Sequence, residues 1–380
     1  MKRPKIINDV RKLPIRDART LARIQAVAER YPFLSNDYYL SLVDWDDPDD
    51  PIRRIVVPHP EEFFGAGDMD PSREKDYTVA PGLQHKYRQT ALLLVTSACA
   101  GLCRYCFRKR LFLKEGGKRP RYTLSSLPRA ARYLREHEEI TSVLVTGGDP
   151  LTLPTKTLDR ILSALDGIPH IRTIRIGSKV PAYNPFRILR DPELPELVRR
   201  YSRKDRRLYV ITHFLHPREL TPPALEALDL LSSAGALLAN QTPLIRGVND
   251  HPDVLEELFR ALAAAGDPPY YVFQCRPTRG NAIYAVPIEE GIRIFYTAQG
   301  RCTGLASRVR YVMSHAKGKL EILGKHQGRV LFRYHRAANP AHQGRIISYP
   351  SNPDAYWLED FIHPRDADSS ERRRHGLGAG

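Results

Sequence analysis

"ALLLVTSACAGLCRYCF", residues 91–107, joins a short apolar run to three cysteines, Cys99, Cys103 and Cys106, spaced Cys-X3-Cys-X2-Cys. The chain has only five cysteines, so three within eight positions form a local cluster. The run "ALLLVT" (91–96) is continuous and apolar enough for a strand buried on both faces, and the cysteines follow directly at its C-terminal end.

The same unit recurs downstream. "SVLVTGG" (142–148), "TIRIGS" (173–178), "LYVITHF" (208–214), "ALLANQTPL" (236–244) and "YYVFQC" (270–275) are apolar runs that end on polar residues. Between them lie amphipathic stretches such as "LPRAARYLREHEEI" and "DVLEELFRALAAAG". Buried strands alternating with helices pair in parallel. Six such units predict an α/β chain, a partial (β/α)6 TIM-like barrel. Thr96, Gly147, Ser178, His213, Gln241 and Gln274 then stand at the strand ends, where barrels build active sites. An open α/β sheet is the alternative that the pattern allows.

Upstream, "ARTLARIQAVAERY" has helical periodicity and is cut off by the Asp- and Pro-rich "VDWDDPDDP". Residues 1–85 are therefore expected to form an N-terminal helical extension, with the barrel over 86–304. Past 305 the rhythm changes to short strand-like pieces. A small C-terminal α/β segment is expected over 305–365 and a disordered tail over 366–380.

With 380 residues, 42% hydrophobic and 27% charged, the composition is that of a soluble globular protein. No apolar stretch reaches the roughly eighteen residues of a membrane helix, and the start lacks a secretory h-region. The expected location is the cytoplasm, where thiols stay reduced and clustered cysteines are read first as metal ligands or catalysts. The net charge of +16 invites a nucleic-acid-binding or RNA-modifying alternative. The basic runs at 199–207 and 371–376 read better as a solvated loop and a tail.

Thiolates are soft ligands for iron–sulfur clusters or zinc, and a zinc site would need a fourth Cys or His that the local sequence lacks. Three incidental thiols or a zinc knuckle remain the plain alternative. The spacing, with Tyr105 just before the last cysteine, resembles the signature of the radical S-adenosylmethionine superfamily. That resemblance implies a [4Fe-4S] cluster whose open iron binds S-adenosyl-L-methionine and yields a 5′-deoxyadenosyl radical. "TGGDP" (146–150) puts Gly147, Gly148 and Asp149 at the next strand end, where glycine permits close backbone approach. In the superfamily this edge lies against the cofactor's amino group.

Further motifs in order, "GLQHKY", "CRYCFRKR", "VTGGDPL", "RIGSKVP", "ITHFLHPREL", "ANQTPLIRGVND" and "PYYVFQC", resemble the lysine 2,3-aminomutase family over almost the whole chain. The resemblance implies an isomerase that uses pyridoxal phosphate as well and moves an amino group from Cα to Cβ of an amino acid. It implies Cys99, Cys103 and Cys106 as metal ligands and Arg108 as the holder of the substrate carboxylate. Gly147, Gly148, Asp149, Ser178, His213, Asn240 and Gln241 would line the cofactor site, and Lys319, with Lys317 as second choice, would be the pyridoxal lysine. A reductant such as flavodoxin or ferredoxin is the implied partner, and the resemblance admits a homo-oligomer.

This chain departs from the family in three ways. Thr90 stands where an arginine near the phosphate is usual, with Arg88 two residues away. Arg276 and Ser314 replace the two aspartates that grip the distal ammonium of lysine, so the substrate is expected to be a glutamate-like acid. The C-terminal zinc-binding cysteines of some members are absent. A radical enzyme that works without pyridoxal phosphate is the nearest enzymatic alternative.

Overall fold

The computed structural model of this chain describes residues 4–113 and 124–363, so the tail expected over 366–380 lies outside them. One sheet of twelve strands dominates. Its strands follow chain order: β1 (Thr78–Ala80), β2 (Leu83–Tyr87), β3 (Thr90–Thr96), β4 (Ser142–Gly147), β5 (Thr173–Gly177), β6 (Arg207–Thr212), β7 (Leu237–Leu244), β8 (Pro269–Gln274), β9 (Arg310–His315), β10 (Gly318–His326), β11 (Arg329–Ala337) and β12 (Ile346–Pro350). From β3 to β9 every neighbour is parallel. Antiparallel strands flank this run on both sides.

Helix α1 (Ala18–Arg30) belongs to the N-terminal extension, and six helices make the crossovers: α2 (Leu127–Glu136), α3 (Thr155–Asp166), α4 (Glu193–Tyr201), α5 (Pro222–Ser233), α6 (Pro252–Ala264) and α7 (Ile288–Gly300). Local chemistry sets their starts. Asp17 accepts from the Thr20 amide ahead of α1, and Thr221 accepts from the Ala224 amide ahead of α5. Each crossover helix turns one apolar stripe to the sheet, as Leu158, Ile161, Leu162 and Leu165 do on α3.

The six expected β/α units are present, and β9 adds a seventh parallel strand. The sequence pattern does not single out α7. "IEEGIRIFYTAQG" contains two glycines and several β-branched and aromatic residues of modest helix propensity, so packing decides. Ile288, Gly291, Ile294, Phe295 and Ala298 share the buried face. Gly291 admits the Tyr311 ring, whose Oη would stand 2.2 Å from an added Cβ.

The barrel is partial, since β1 and β12 are the free edges of the sheet. Side chains bridge its mouth: Lys86 Nζ donates to the His315 carbonyl at 2.5 Å, Tyr77 Oη to the Ala316 carbonyl at 2.9 Å, and Arg336 to Gln89 at 3.3 Å. Strand alternation sorts the two faces. Val143, Val145, Ile174, Ile176, Leu208 and Val210 pack under the helices, while Ser142, Leu144, Thr146, Thr173, Arg175, Gly177, Tyr209 and Ile211 face inward. Closed barrels fill that interior with a packed core. Here it is a cavity of about 880 Å³.

The N-terminal extension braces one wall of this cavity. The amides of Leu102 and Arg104 donate to the carbonyls of Leu34 and Ile55, and buried Arg104 pairs with buried Glu62 at 2.8 Å. The basic run at 199–207 is largely neutralised by ion pairs to Glu196, Asp159, Asp166 and Asp205. Among the described residues no helix is long and apolar enough to cross a membrane.

Candidate active site

The three clustered cysteines lie in the loop after β3 and all line the cavity. Among the described residues, the only trio of His, Cys, Asp or Glu ligand atoms within 4.8 Å of one another is His85, His137 and Glu139. The cysteine sulfurs are therefore spread wider than that. One tetrahedral zinc, with Zn–S near 2.3 Å, would draw sulfurs to about 3.8 Å apart. As they stand the three sulfurs form no preassembled single-ion site, and it is the three thiolate donors in one loop that suit an iron–sulfur cluster. Burial pushes the Cys99 and Cys103 thiols up, and Cys106 to about 11. Bound iron would supply the charge that deprotonates them. Gly101 makes the loop possible, because a Cβ there would stand 2.7 Å from the Tyr183 ring, whose hydroxyl donates to Cys103 Sγ at 3.5 Å.

Gly147 and Gly148 face this loop. The Gly148 amide donates to the Thr96 carbonyl at 2.6 Å and the Asp149 amide to the Ala98 carbonyl at 2.7 Å. A Cβ on Gly147 would meet Thr96 O at 2.4 Å, and one on Gly148 would meet Ala98 O at 2.3 Å. The close approach that needs glycine is thus to the cysteine loop itself, where the sequence reading had looked only for a ligand. Asp149 has no acceptor site to spare: its oxygens take Ser178 Oγ at 2.7 Å and the amides of Lys179, Val180 and Leu151. Burial raises its carboxyl to about 6 against these donors. The Asp149–Ser178 pair ties β4 to β5, and both residues border the cavity.

His213 lines the cavity just past β6, and Gln241 lines it from inside β7, not at the strand end that the sequence pattern predicts. Burial, with the nearby Lys179 charge, lowers His213 to about 3, so it is a neutral ring, 3.2 Å from Tyr105 Oη. Asn240 points the other way. Its amide is consumed by Thr212, Thr242 and the Phe214 backbone, which makes it a satisfied structural residue. Gln274 is likewise held by Val286, Tyr356 and Tyr311.

Charge concentrates on the opposite wall. Arg108 pairs with buried Glu74 and also donates to Thr146 Oγ1 at 2.9 Å. Burial alone would raise the Glu74 carboxyl, but Arg108, Arg110 and Arg276 hold it well below the usual carboxylate range. Arg276 lies 3.5 Å over the Phe107 ring, and burial lowers it to about 10. Lys86 is lowered to about 8, again chiefly by burial and next by Arg276.

Lys319 projects from β10, and its Nζ sits 3.9 Å over the Tyr271 ring. Burial and the charges of Arg175, Arg276, Arg336 and Lys86 drive its amine well below the ordinary lysine value. Lowering an amine's pKa favours its unprotonated form, the nucleophile that imine formation needs. Lys317 is exposed in the turn before β10. Arg88 is exposed too, and it is Arg336 that reaches Thr90, at 3.5 Å. Arg175 Nε is buried without a partner, an orphan donor of the kind a phosphate satisfies. These residues fit pyridoxal phosphate.

Glu74, Arg175, Arg336 and Lys86 had escaped the sequence reading. Arg175 alone left a usable signal, an arginine at the inward position of the otherwise apolar "TIRIG".

Residues 93–259 match the sequence model of the Radical SAM superfamily. The chain is 49% identical over 339 residues, 89% of this chain and 90% of the relative, to a protein of Aquifex aeolicus (strain VF5) provisionally named L-lysine 2,3-aminomutase. It is 37% identical to L-lysine 2,3-aminomutase of Clostridium subterminale, over 70% of this chain and 62% of that one. It is 33% identical to glutamate 2,3-aminomutase of Clostridioides difficile (strain 630), over 78% of this chain and 68% of that one. Fold and matches together define a radical S-adenosylmethionine enzyme, with the cluster and S-adenosylmethionine that the class uses. Within that class, the chain belongs to the lysine 2,3-aminomutase family and is an isomerase.

Proposed function

We propose that this enzyme moves the α-amino group of an acidic, glutamate-like amino acid to the neighbouring carbon, with the cluster on Cys99, Cys103 and Cys106 and pyridoxal phosphate on Lys319. One observation carries the reading. Beside Lys319 the cavity gathers Lys86, Arg108, Arg175, Arg276 and Arg336 around two carboxylates, Glu74 and Asp149, of which Asp149 is already saturated. Such a desolvated excess of cations attracts anions.

A phosphate near Lys319 would draw on Arg175, Arg336 and Lys86, and the α-carboxylate would take the planar fork of Arg108. Arg276 is then left beside Cys275 for a side-chain carboxylate. It would repel the distal ammonium of lysine. When bound, the cluster with S-adenosylmethionine supplies the hydrogen-abstracting radical, and pyridoxal phosphate the conjugated system that lets the amino group migrate. The chain itself orients the substrate between the Arg108 wall and Lys319, and neutral His213 adds no charge there. A cytoplasmic one-electron donor such as flavodoxin or ferredoxin would reduce the cluster. The relative named glutamate 2,3-aminomutase supports an acidic substrate within the family.

The test is anaerobic reconstitution with iron, sulfide and pyridoxal phosphate, then borohydride reduction with peptide mapping, beside turnover assays on L-glutamate and L-lysine. A reduced adduct on Lys319 and faster conversion of glutamate are expected. No labelled lysine alongside intact S-adenosylmethionine cleavage overturns the pyridoxal assignment, and faster turnover of lysine overturns the substrate.

A further inference from the structure

The outer wall of the barrel carries a second cluster of ligand-bearing side chains, on the far side of β2 from the cavity. On β2, Gln84 and Lys86 face the cavity. His85, between them, points outward to α2, where it meets Tyr133, His137 and Glu139. His137 caps the C-terminus of α2, and Glu139 follows in the loop to β4. One ligand atom from each of His85, His137 and Glu139 lies within 4.8 Å of the other two.

His85 is held by a contact that metal-ligating histidines use. His85 Nε2 lies 3.1 Å from the Arg88 carbonyl. A carbonyl only accepts, so Nε2 carries the proton and Nδ1 keeps its lone pair turned to the cluster. Nδ1 is 3.0 Å from Tyr133 Oη, which can rotate its proton away or offer its own oxygen. His137 is stacked on Tyr133, with ring centroids 3.9 Å apart, and its Nδ1 lies 2.9 Å from Glu139 Oε1. An ion would take the place of the proton shared between them, with His137 Nδ1 and Glu139 Oε1 as its ligand atoms. All three side chains are half-buried, so an ion has an entry path and a water can fill a fourth position.

We propose that His85, His137 and Glu139 form a zinc site on the outside of the barrel that fastens β2 to the end of α2. Two imidazoles and a carboxylate are a zinc donor set, and they disfavour magnesium and calcium, which take oxygen ligands. Zinc–ligand distances of about 2.0–2.2 Å set the ligand atoms of a tetrahedron about 3.4 Å apart, so the observed 4.8 Å envelope has to contract by roughly an ångström. The site acts on the cavity through β2, by fixing the strand that presents Lys86. It does not depend on the identity of the amino-acid substrate.

The experiment uses enzyme whose cysteines are occupied by a reconstituted cluster, stripped of other metals with a chelator and titrated with Co(II) and Zn(II). Expected are one equivalent bound at low micromolar metal, tetrahedral Co(II) absorption without thiolate charge-transfer bands, and a rise in Tm with Zn(II). His137→Ala should abolish uptake and Glu139→Gln should weaken it at least tenfold, with S-adenosylmethionine cleavage retained in both. Absence of stoichiometric uptake, thiolate charge-transfer bands, or binding unchanged in both variants overturns the site. Should His137→Ala fail to fold, Glu139→Gln and His85→Gln decide by the same readout.

Discussion

Arg108 is turned onto Glu74: its Nη2 lies 2.8 Å and its Nε 3.2 Å from Glu74 Oε1, with both side chains buried in the cavity wall. The arginine assigned to a substrate carboxylate by family resemblance thus already holds a carboxylate of this chain. Glu74 precedes β1, so the same contact pins the N-terminal flank to the site. An entering substrate has to share the fork or displace Glu74 from it.

Glu74→Gln should therefore destabilise the protein by about 3 kcal/mol at neutral pH, the scale for uncoupling a buried ion pair. Added sulfate should restore part of the loss by pairing with the arginines that Glu74 no longer neutralises. The depressed Glu74 carboxyl stabilises the fold above its unfolded value of about 4.3, and that contribution fades as pH falls toward the folded value. Urea unfolding should show the gap between wild type and variant closing in acid. A gap that stays constant with pH would mean that Glu74 acts by shape alone.

The Lys319 amine should be a stability burden that function retains. Its folded pKa lies well below the unfolded value of about 10.4, so the unfolded chain binds the extra proton and stability rises with pH across that window. Lys319→Met should be more stable than wild type at pH 7 and lack a slope of up to about 1.4 kcal/mol per pH unit. It should also form no borohydride-stable pyridoxal adduct. Lower stability of the methionine variant at pH 7 would contradict a depressed Lys319 amine.

Gly148→Ala should dislodge the cysteine loop, because the new methyl would stand 2.3 Å from the Ala98 carbonyl. Misplacement on the ångström scale costs about 100-fold in rate, so S-adenosylmethionine cleavage and iron content per chain should both fall. Gly177→Ala is the control, as its nearest contact, Leu144 Cδ1, is an ordinary 3.7 Å away. Equal iron retention in the two variants would refute the steric argument.

The barrel was legible in the sequence because buried parallel strands are continuous apolar runs and their polar ends mark one face, as at Thr96, Ser178 and His213. The cysteine spacing made one end of the cavity legible for a similar reason, since its three ligand positions lie close together in the chain. The charged wall was not. Glu74, Lys86 and Arg336 converge from the segment before β1, from β2 and from β11, and no local pattern links residues brought together only by curvature of the sheet; Arg276 was reached through the family resemblance alone. Asn240 and Gln241 make the complementary point: adjacent in sequence and alike in polarity, they face opposite sides of β7, and only the strand register separates the structural residue from the cavity residue.

Arg276 is the position where the substrate proposal can be broken. Its guanidinium rests on Phe107 within reach of the Glu74 charge, and it forms no ion pair at hydrogen-bond distance among the described residues. A hydrogen bond to a charged partner contributes about 1.5–3 kcal/mol. Arg276→Asp should thus lower kcat/KM for an acidic amino acid about 10- to 100-fold, while lysine turnover rises as repulsion becomes attraction. Arg276→Lys keeps the charge without the planar fork and should fall between the two, with the loss mainly in KM. Competition assays with glutamate and lysine on all three proteins read this directly. If the aspartate variant keeps the wild-type ratio, Arg276 serves the phosphate or the Glu74 cluster, and the side chain of the substrate is recognised elsewhere in the cavity.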